Sequence, residues 1–199
     1  SDPPVTADQS ATKMANMQGM AKMDPDPDSI VFKDEVASNV EPPKGLDGLV
    51  FFDTDKNRVK LGDYVGKKNV ILVFTEGFAG MLCPFCKTQT SRLVANYDKF
   101  AELDTEILVV YPGTRNKLDE FIEAAKSTSK SQVDRVPFPL LLDEDFQAVD
   151  FFQIRSNLAH PSTYVIDKTG SVRLAYVGND MSADRPSVQA LLQQVRLAN

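Results

Sequence analysis

Val70-Ile71-Leu72-Val73-Phe74 is an unbroken apolar run, largely β-branched, and it predicts a central strand buried on both faces. Glu106–Tyr111 predicts a second buried strand. Ahead of both, Leu49–Phe52 and Arg58–Leu61 flank the polar stretch Asp53-Thr54-Asp55-Lys56-Asn57, a hairpin pattern. Between the two buried strands the period changes. A loop over 76–82 containing Gly77 and Gly80 leads into a predicted helix over 84–102, with Leu93, Tyr97 and Phe100 on one stripe. Thr114 is placed to cap a helix carrying Leu118, Phe121, Ile122 and Ala125. Val136-Pro137-Phe138-Pro139 leads to a short strand at Leu140–Leu142, and a short helix is expected over 145–151. Ser162–Asp167, the turn Lys168-Thr169-Gly170 and Ser171–Val177 read as a second hairpin. Pro186 suits the first turn of a last helix with Val188, Leu191, Leu192 and Val195 inward. The order is β-α-β, a connecting helix, then β-β-α, which makes the class α/β.

Residues 1–28 break the pattern. They are rich in Pro, Asp, Ala and Gln, lack aromatic residues and end in Asp24-Pro25-Asp26-Pro27-Asp28, the composition of a flexible tail. A globular domain is therefore expected over 29–199. Within the tail Met14, Met17, Met20 and Met23 recur every third residue. Thioethers at that spacing can face Cu(I), or simply one side of a short docking helix. The 199 residues, 42% hydrophobic with 12 phenylalanines, can build one substantial core. A net charge of -6 argues against a nucleic-acid surface. No run is long enough for a membrane span. Ser1 reads as a processed start, so the expectation is an exported protein, periplasmic or extracellular and tethered through the tail. A cytoplasmic location is the alternative. Oligomeric state is not legible.

Chemistry concentrates at Cys83-Pro84-Phe85-Cys86, which holds the only two cysteines. At C-x-x-C spacing the thiols can close and reopen a small disulfide ring. A helix N-terminus after Cys83 would favour its thiolate, which attacks a disulfide while Cys86 resolves the mixed species. A purely stapling bridge gains little, because so short a loop removes little chain entropy. With no third cysteine and one histidine, a four-coordinate Cys/His zinc site is excluded, and only a mixed site with carboxylate remains. The other informative segment is Ala159-His160-Pro161-Ser162-Thr163. Pro161, just ahead of a strand, can be a cis proline facing the disulfide or an ordinary trans strand start. His160, the sole histidine, can stabilise a thiolate or relay a proton, or be a merely solvated side chain.

Together these segments resemble the thioredoxin-like superfamily, and most closely its redoxin branch, the alkyl hydroperoxide reductase and thiol-specific antioxidant family. The resemblance covers about residues 40–197. It rests on Phe74–Gly77 with Cys83–Cys86, and on Pro161–Asp167 with Lys168-Thr169-Gly170. It implies a central mixed sheet flanked by helices, extended here by the N-terminal hairpin, with a redox-active Cys83–Cys86 disulfide as the only redox group and no separate cofactor. It implies catalytic roles for Cys83, Cys86, Pro161 and His160. Two departures matter. Leu82 stands where thioredoxins carry tryptophan, and Phe74 where they carry a buried carboxylate, so a buried thiol lacks its usual acid. Aligning Cys86 with the peroxidatic cysteine of peroxiredoxins puts Cys83 at the pattern's threonine, Ala79 at its proline and Pro161 at its arginine. Arg92 or Arg155 would substitute only if the fold brings it close. The leading expectation is thus a thiol–disulfide oxidoreductase acting on a protein dithiol or disulfide. The alternative is a hydroperoxide reductase in which either cysteine is oxidised and a thioredoxin-type partner restores it. A copper assembly factor using Cys83, Cys86 and His160 is the third reading.

Overall fold

The computed structural model describes residues 24–128 and 132–199. The methionine row at 14–23 lies outside the described residues. Seven strands form one mixed sheet: β1 (Val50–Asp53), β2 (Arg58–Lys60), β3 (Asn69–Phe74), β4 (Thr105–Pro112), β5 (Leu140–Asp143), β6 (Ser162–Ile166) and β7 (Val172–Val177), in the order β2-β1-β5-β4-β3-β6-β7. The centre, β5-β4-β3, is parallel, with Ile71 opposite Ile107 and Val110 opposite Leu141. β6 and β7 add antiparallel on one side, and the β1–β2 hairpin adds antiparallel beyond β5 on the other. The hairpin closes because Asp53 Oδ1 accepts from the Asp55 and Asn57 amides. The helices are α1 (Pro84–Ala95), α2 (Tyr97–Ala101), α3 (Leu118–Lys126), α4 (Gln147–Phe151) and α5 (Val188–Ala198).

The strand period of two sorts the core into two layers. Ile71, Val73, Ile107 and Val109 pack with Leu93, Phe121 and Leu191 of the helices and with both cysteines. Val70, Leu72, Phe74, Leu108 and Val110 pack with Phe152, Ile154 and Tyr164. Because both faces of β3 are covered, its sequence is apolar throughout. Each such side chain contributes roughly 1.5–3 kcal/mol on burial.

Three boundaries differ from the pattern reading, each for a local reason. The long helix expected over 84–102 breaks at Asn96, whose Nδ2 bonds the Arg92 carbonyl at 2.8 Å and whose backbone leaves the helical region. Thr114 does not cap; α3 begins after Lys117, which takes the left-handed conformation. The last helix begins at Val188, capped by Ser187 Oγ accepting from the Ala190 amide at 3.1 Å.

Residues 24–40 form an anchored strap that takes in 24–28, the end of the stretch expected to be a flexible tail. Ile30 and Phe32 are buried. Arg92 donates to the carbonyls of Pro27 and Ile30 and lies over the Phe32 ring. The Lys33 amide donates to the Arg185 carbonyl and the Ser187 amide to the Lys33 carbonyl, both at 2.8 Å. The strap therefore clamps the loop between β7 and α5.

Candidate active site

β3 ends at Phe74, and the chain is held on course by Thr75, which donates from both its amide and its hydroxyl to the Val110 carbonyl. Glu76 follows and turns inward. Gly77 then takes φ +69, where an added Cβ would lie 2.7 Å from the Pro112 carbonyl oxygen and 2.9 Å from Leu158 Cδ1. Only glycine fits that turn. Cys83 is the N-cap of α1 and Cys86 lies in its first turn. Both are free thiols, each 2% exposed.

The groups that complete the site come from the far end of the chain. Arg185, 1% exposed, reaches in from the loop before α5. Its Nη1 donates to Cys86 Sγ at 3.0 Å and to Gln89 Oε1 at 3.3 Å; its Nη2 donates to Cys83 Sγ at 3.3 Å and to Glu76 Oε2 at 3.1 Å. Nε donates to the Ser182 carbonyl, which fixes the plane of the fork. Glu76 Oε1 accepts from the Met181 amide at 2.7 Å, tying the same loop to the end of β3. Cys86 Sγ also accepts from the Glu76 amide at 3.3 Å and lies 3.6 Å from Glu76 Oε2.

Electrostatics favours Cys86 over Cys83 as the thiolate of the pair. Burial by itself would raise Cys86, but the hydrogen bond from Cys83 and the adjacent Arg185 guanidinium outweigh it, and the Cys86 thiol falls below its ordinary value. Cys83, which donates that bond and is itself desolvated, is raised. The donor count agrees: among the described residues, three groups point at Cys86 Sγ, and only Arg185 Nη2 at Cys83 Sγ. Burial raises Tyr111 to about 12, with the Cys86 charge adding to the effect. Cys83 nevertheless borders a cleft. It lines a space of about 160 Å³ with Glu76, Ala79, Met81, Leu158 and Met181, a lining that Cys86 does not join.

Several expectations change here. The thiolate expected on Cys83 falls instead to Cys86, whose thiol is the lowered one, and the two cysteines are equally buried. The buried carboxylate missing at Phe74 is supplied by Glu76. A buried arginine that bonds both sulfurs is present in Arg185. Arg92 is engaged by the strap and Arg155 by Asp150, so neither stands in for it. No peptide bond is cis among the described residues, so Pro161 is trans; it is buried, and its carbonyl accepts from the Gly178 amide. His160 Nδ1 hydrogen-bonds Asp180 Oδ1 at 2.7 Å in an exposed pair, and Asp180 borders the Cys83 cleft. Neither His160 nor Pro161 bonds a sulfur. Among the described residues the grouping able to hold a metal is Glu76, Cys83 and Cys86; the copper set that included His160 does not assemble.

Sequence reasoning missed Arg185 and Glu76. Arg185 lies 99 residues beyond Cys86 and has only the neighbouring Pro186 to mark it. Glu76 was legible as the one acid between the apolar strand and the glycine.

Comparison with known proteins agrees with the geometry. Over 121 residues the chain is 30% identical to Peroxiredoxin Bcp of Bacillus subtilis, covering 56% of this chain and 69% of that protein. The mitochondrial 2-Cys peroxiredoxin of Plasmodium falciparum superposes with a TM-score of 0.59 at 18% identity, over 82% of this chain and 93% of that one. Peroxidoxin BcpB of Mycobacterium tuberculosis gives 0.62 at 18% identity, over 81% and 99%. These structural likenesses establish the thioredoxin-like fold. Residues 38–175 match the AhpC/TSA family, so Arg185 and all of the strap before residue 38 lie outside the matched segment. The chain belongs to the AhpC/TSA family of thiol-based oxidoreductases.

Proposed function

We propose that the protein is a peroxiredoxin-like hydroperoxide reductase that works through the Cys83–Cys86 dithiol. The observation that carries this reading is the buried Arg185 fork on both sulfurs, one of which, Cys83, lines a cleft. A peroxide needs a thiolate nucleophile and a cation beside the oxygens where charge develops. Charge rests on Cys86 in the dithiol. Passing the shared proton from Cys83 to Cys86 moves it to the sulfur that faces the cleft, and Arg185 Nη2 is already in place there. Cys83 then attacks the terminal peroxide oxygen. The O–O bond breaks, Cys83 becomes a sulfenic acid, and the alkoxide or hydroxide takes the proton held on Cys86 and leaves as alcohol or water. Cys86, now a thiolate, attacks the sulfenic sulfur and closes the disulfide, and the expelled hydroxide takes a proton from solvent and leaves as water. The sum is dithiol plus ROOH giving disulfide plus ROH plus water.

An external thiol reductant of thioredoxin type returns the disulfide to the dithiol. Exchange with a protein dithiol, the leading expectation from the motif, becomes the recycling half of the cycle. The family match and the relative named above support ranking peroxide reduction first. Stopped-flow mixing of the reduced protein with hydrogen peroxide or an organic hydroperoxide tests the proposal. One thiol pair should be lost per peroxide at a rate far above that of a free thiol, and a rate equal to that of a small-molecule thiol removes it.

A further inference from the structure

We infer that the reduced site is also a mixed thiolate–carboxylate site for a divalent, borderline-soft cation such as Zn²⁺. Glu76, Cys83 and Cys86 each offer one ligand atom, these atoms lie within 4.8 Å of one another, and all three residues are more than nine-tenths buried. A tetrahedral ion with Zn–S and Zn–O bonds of ordinary length needs its ligand atoms ~3.6–3.8 Å apart. Cys86 Sγ and Glu76 Oε2 already stand 3.6 Å apart. Closing the set therefore asks for side-chain movements on the order of 1 Å.

Charge selects the class of ion. With both thiols deprotonated, the three ligands carry three negative charges and Arg185 carries one positive charge. A divalent cation neutralises the remainder, whereas a monovalent ion such as Cu(I) leaves the buried cluster negative. Softness agrees, since two thiolates and one carboxylate suit zinc or cadmium better than magnesium or calcium. Arg185 hydrogen-bonds the three ligand residues and would orient them from outside the coordination shell. Glu76 and Cys83 line the 160 Å³ cleft, so the fourth position faces space that water can occupy. Binding takes the proton shared by the sulfurs and releases it to solvent; no electron moves. The ion occupies the same sulfurs as peroxide, so the metal-bound form is shielded from oxidation and inactive until a stronger chelator removes the metal.

The test titrates the reduced full chain with Cd²⁺, reading the ultraviolet sulfur-to-metal charge-transfer band, and with Zn²⁺, reading protection from alkylation and X-ray absorption. The expected result is one ion per chain, bound by two sulfurs with the remaining ligands oxygen or nitrogen. The disulfide form should show no binding. Glu76→Gln should weaken binding by roughly tenfold or more, while His160→Ala should bind as the unmodified protein does. Zinc bridging two chains through four sulfurs would overturn the inference, as would undiminished affinity in Glu76→Gln or no binding by the reduced protein. If Glu76→Gln does not fold, the sulfur count of the unmodified protein still decides. Peroxide turnover of the metal-free protein is measured separately, so failure of the peroxidase reading and failure of the metal site are distinct results.

Discussion

Replacing Arg185 by methionine removes the one cation in contact with both sulfurs among the described residues, while keeping a long apolar stem. Arg185 Nη1 stands 3.0 Å from Cys86 Sγ, and the side chain is 1% exposed, so water does not screen the interaction. A hydrogen bond to a charged group contributes about 1.5–3 kcal/mol. At about 1.4 kcal/mol per pKa unit, losing the Cys86 bond alone raises the pKa of the dithiol by about 1–2 units. The thiolate fraction at pH values below the unmodified protein's midpoint then falls about 10–100-fold, and the peroxide rate there with it. The same change strands Glu76 in the interior, and breaking a buried ion pair costs about 3–5 kcal/mol. Arg185→Lys therefore belongs beside it: the charge stays while the fork over two sulfurs and Glu76 is lost, and the pKa should lie between the two. The assay is the rate of iodoacetamide alkylation against pH, with circular dichroism to confirm folding. A folded Arg185→Met variant with the unmodified protein's pH midpoint would refute the assignment.

Four further outcomes follow from the same geometry. Cys86 is lowered and Cys83 raised. Relative to unfolded thiols near about 8.5, the Cys86 contribution to stability is present above that value and lost as pH falls through its lower folded value. The Cys83 contribution is present below about 8.5 and lost at higher pH. The melting temperature of the reduced protein, minus that of Cys83→Ser/Cys86→Ser, should therefore peak near this pH, and a monotonic difference counts against the shared charge. Phe32→Ala should cost about 3–5 kcal/mol in a denaturant melt. It should also raise the dithiol pKa, because the strap holds the Arg185 loop; loss of stability with an unchanged pH profile would show that the strap only packs. Gly77→Ala should slow peroxide oxidation through a displaced Glu76, since its Cβ meets the Pro112 carbonyl at 2.7 Å; undiminished kinetics would show that the turn adapts. His160→Ala should leave the alkylation midpoint unchanged, because its imidazole is bonded to Asp180 and not to sulfur; a shift would restore it to the thiolate's surroundings.

The sheet was legible because each central strand carries its own signature. Asn69–Phe74 is the observed β3 to the residue, since a strand covered on both faces must be apolar throughout. The hairpin beyond β5 and the β6–β7 pair were marked by turn residues. Helix ends were less legible: Asn96 and Lys117 act through backbone conformations that composition does not announce. The cysteines were plain in the sequence, but their electrostatics was not. Which thiol holds the charge depends on Arg185, brought in by the β7–α5 loop, and on a strap that composition had marked as loose up to residue 28. Sequence spacing could read the first turn of α1, but not a contact made across 99 residues.

The central claim is that an Arg185-stabilised dithiol is oxidised by peroxide. Rapid mixing of reduced protein with one equivalent of hydroperoxide, followed by mass spectrometry, tests it most directly. The account predicts fast conversion to the Cys83–Cys86 disulfide. In Cys86→Ser it predicts arrest at a Cys83 sulfenic acid, and in Arg185→Met a rate lower by about 10–100-fold at pH values below the unmodified protein's thiol midpoint. Oxidation no faster than that of a free thiol, or a sulfenic acid trapped on Cys86 in Cys83→Ser at the full rate, would contradict it.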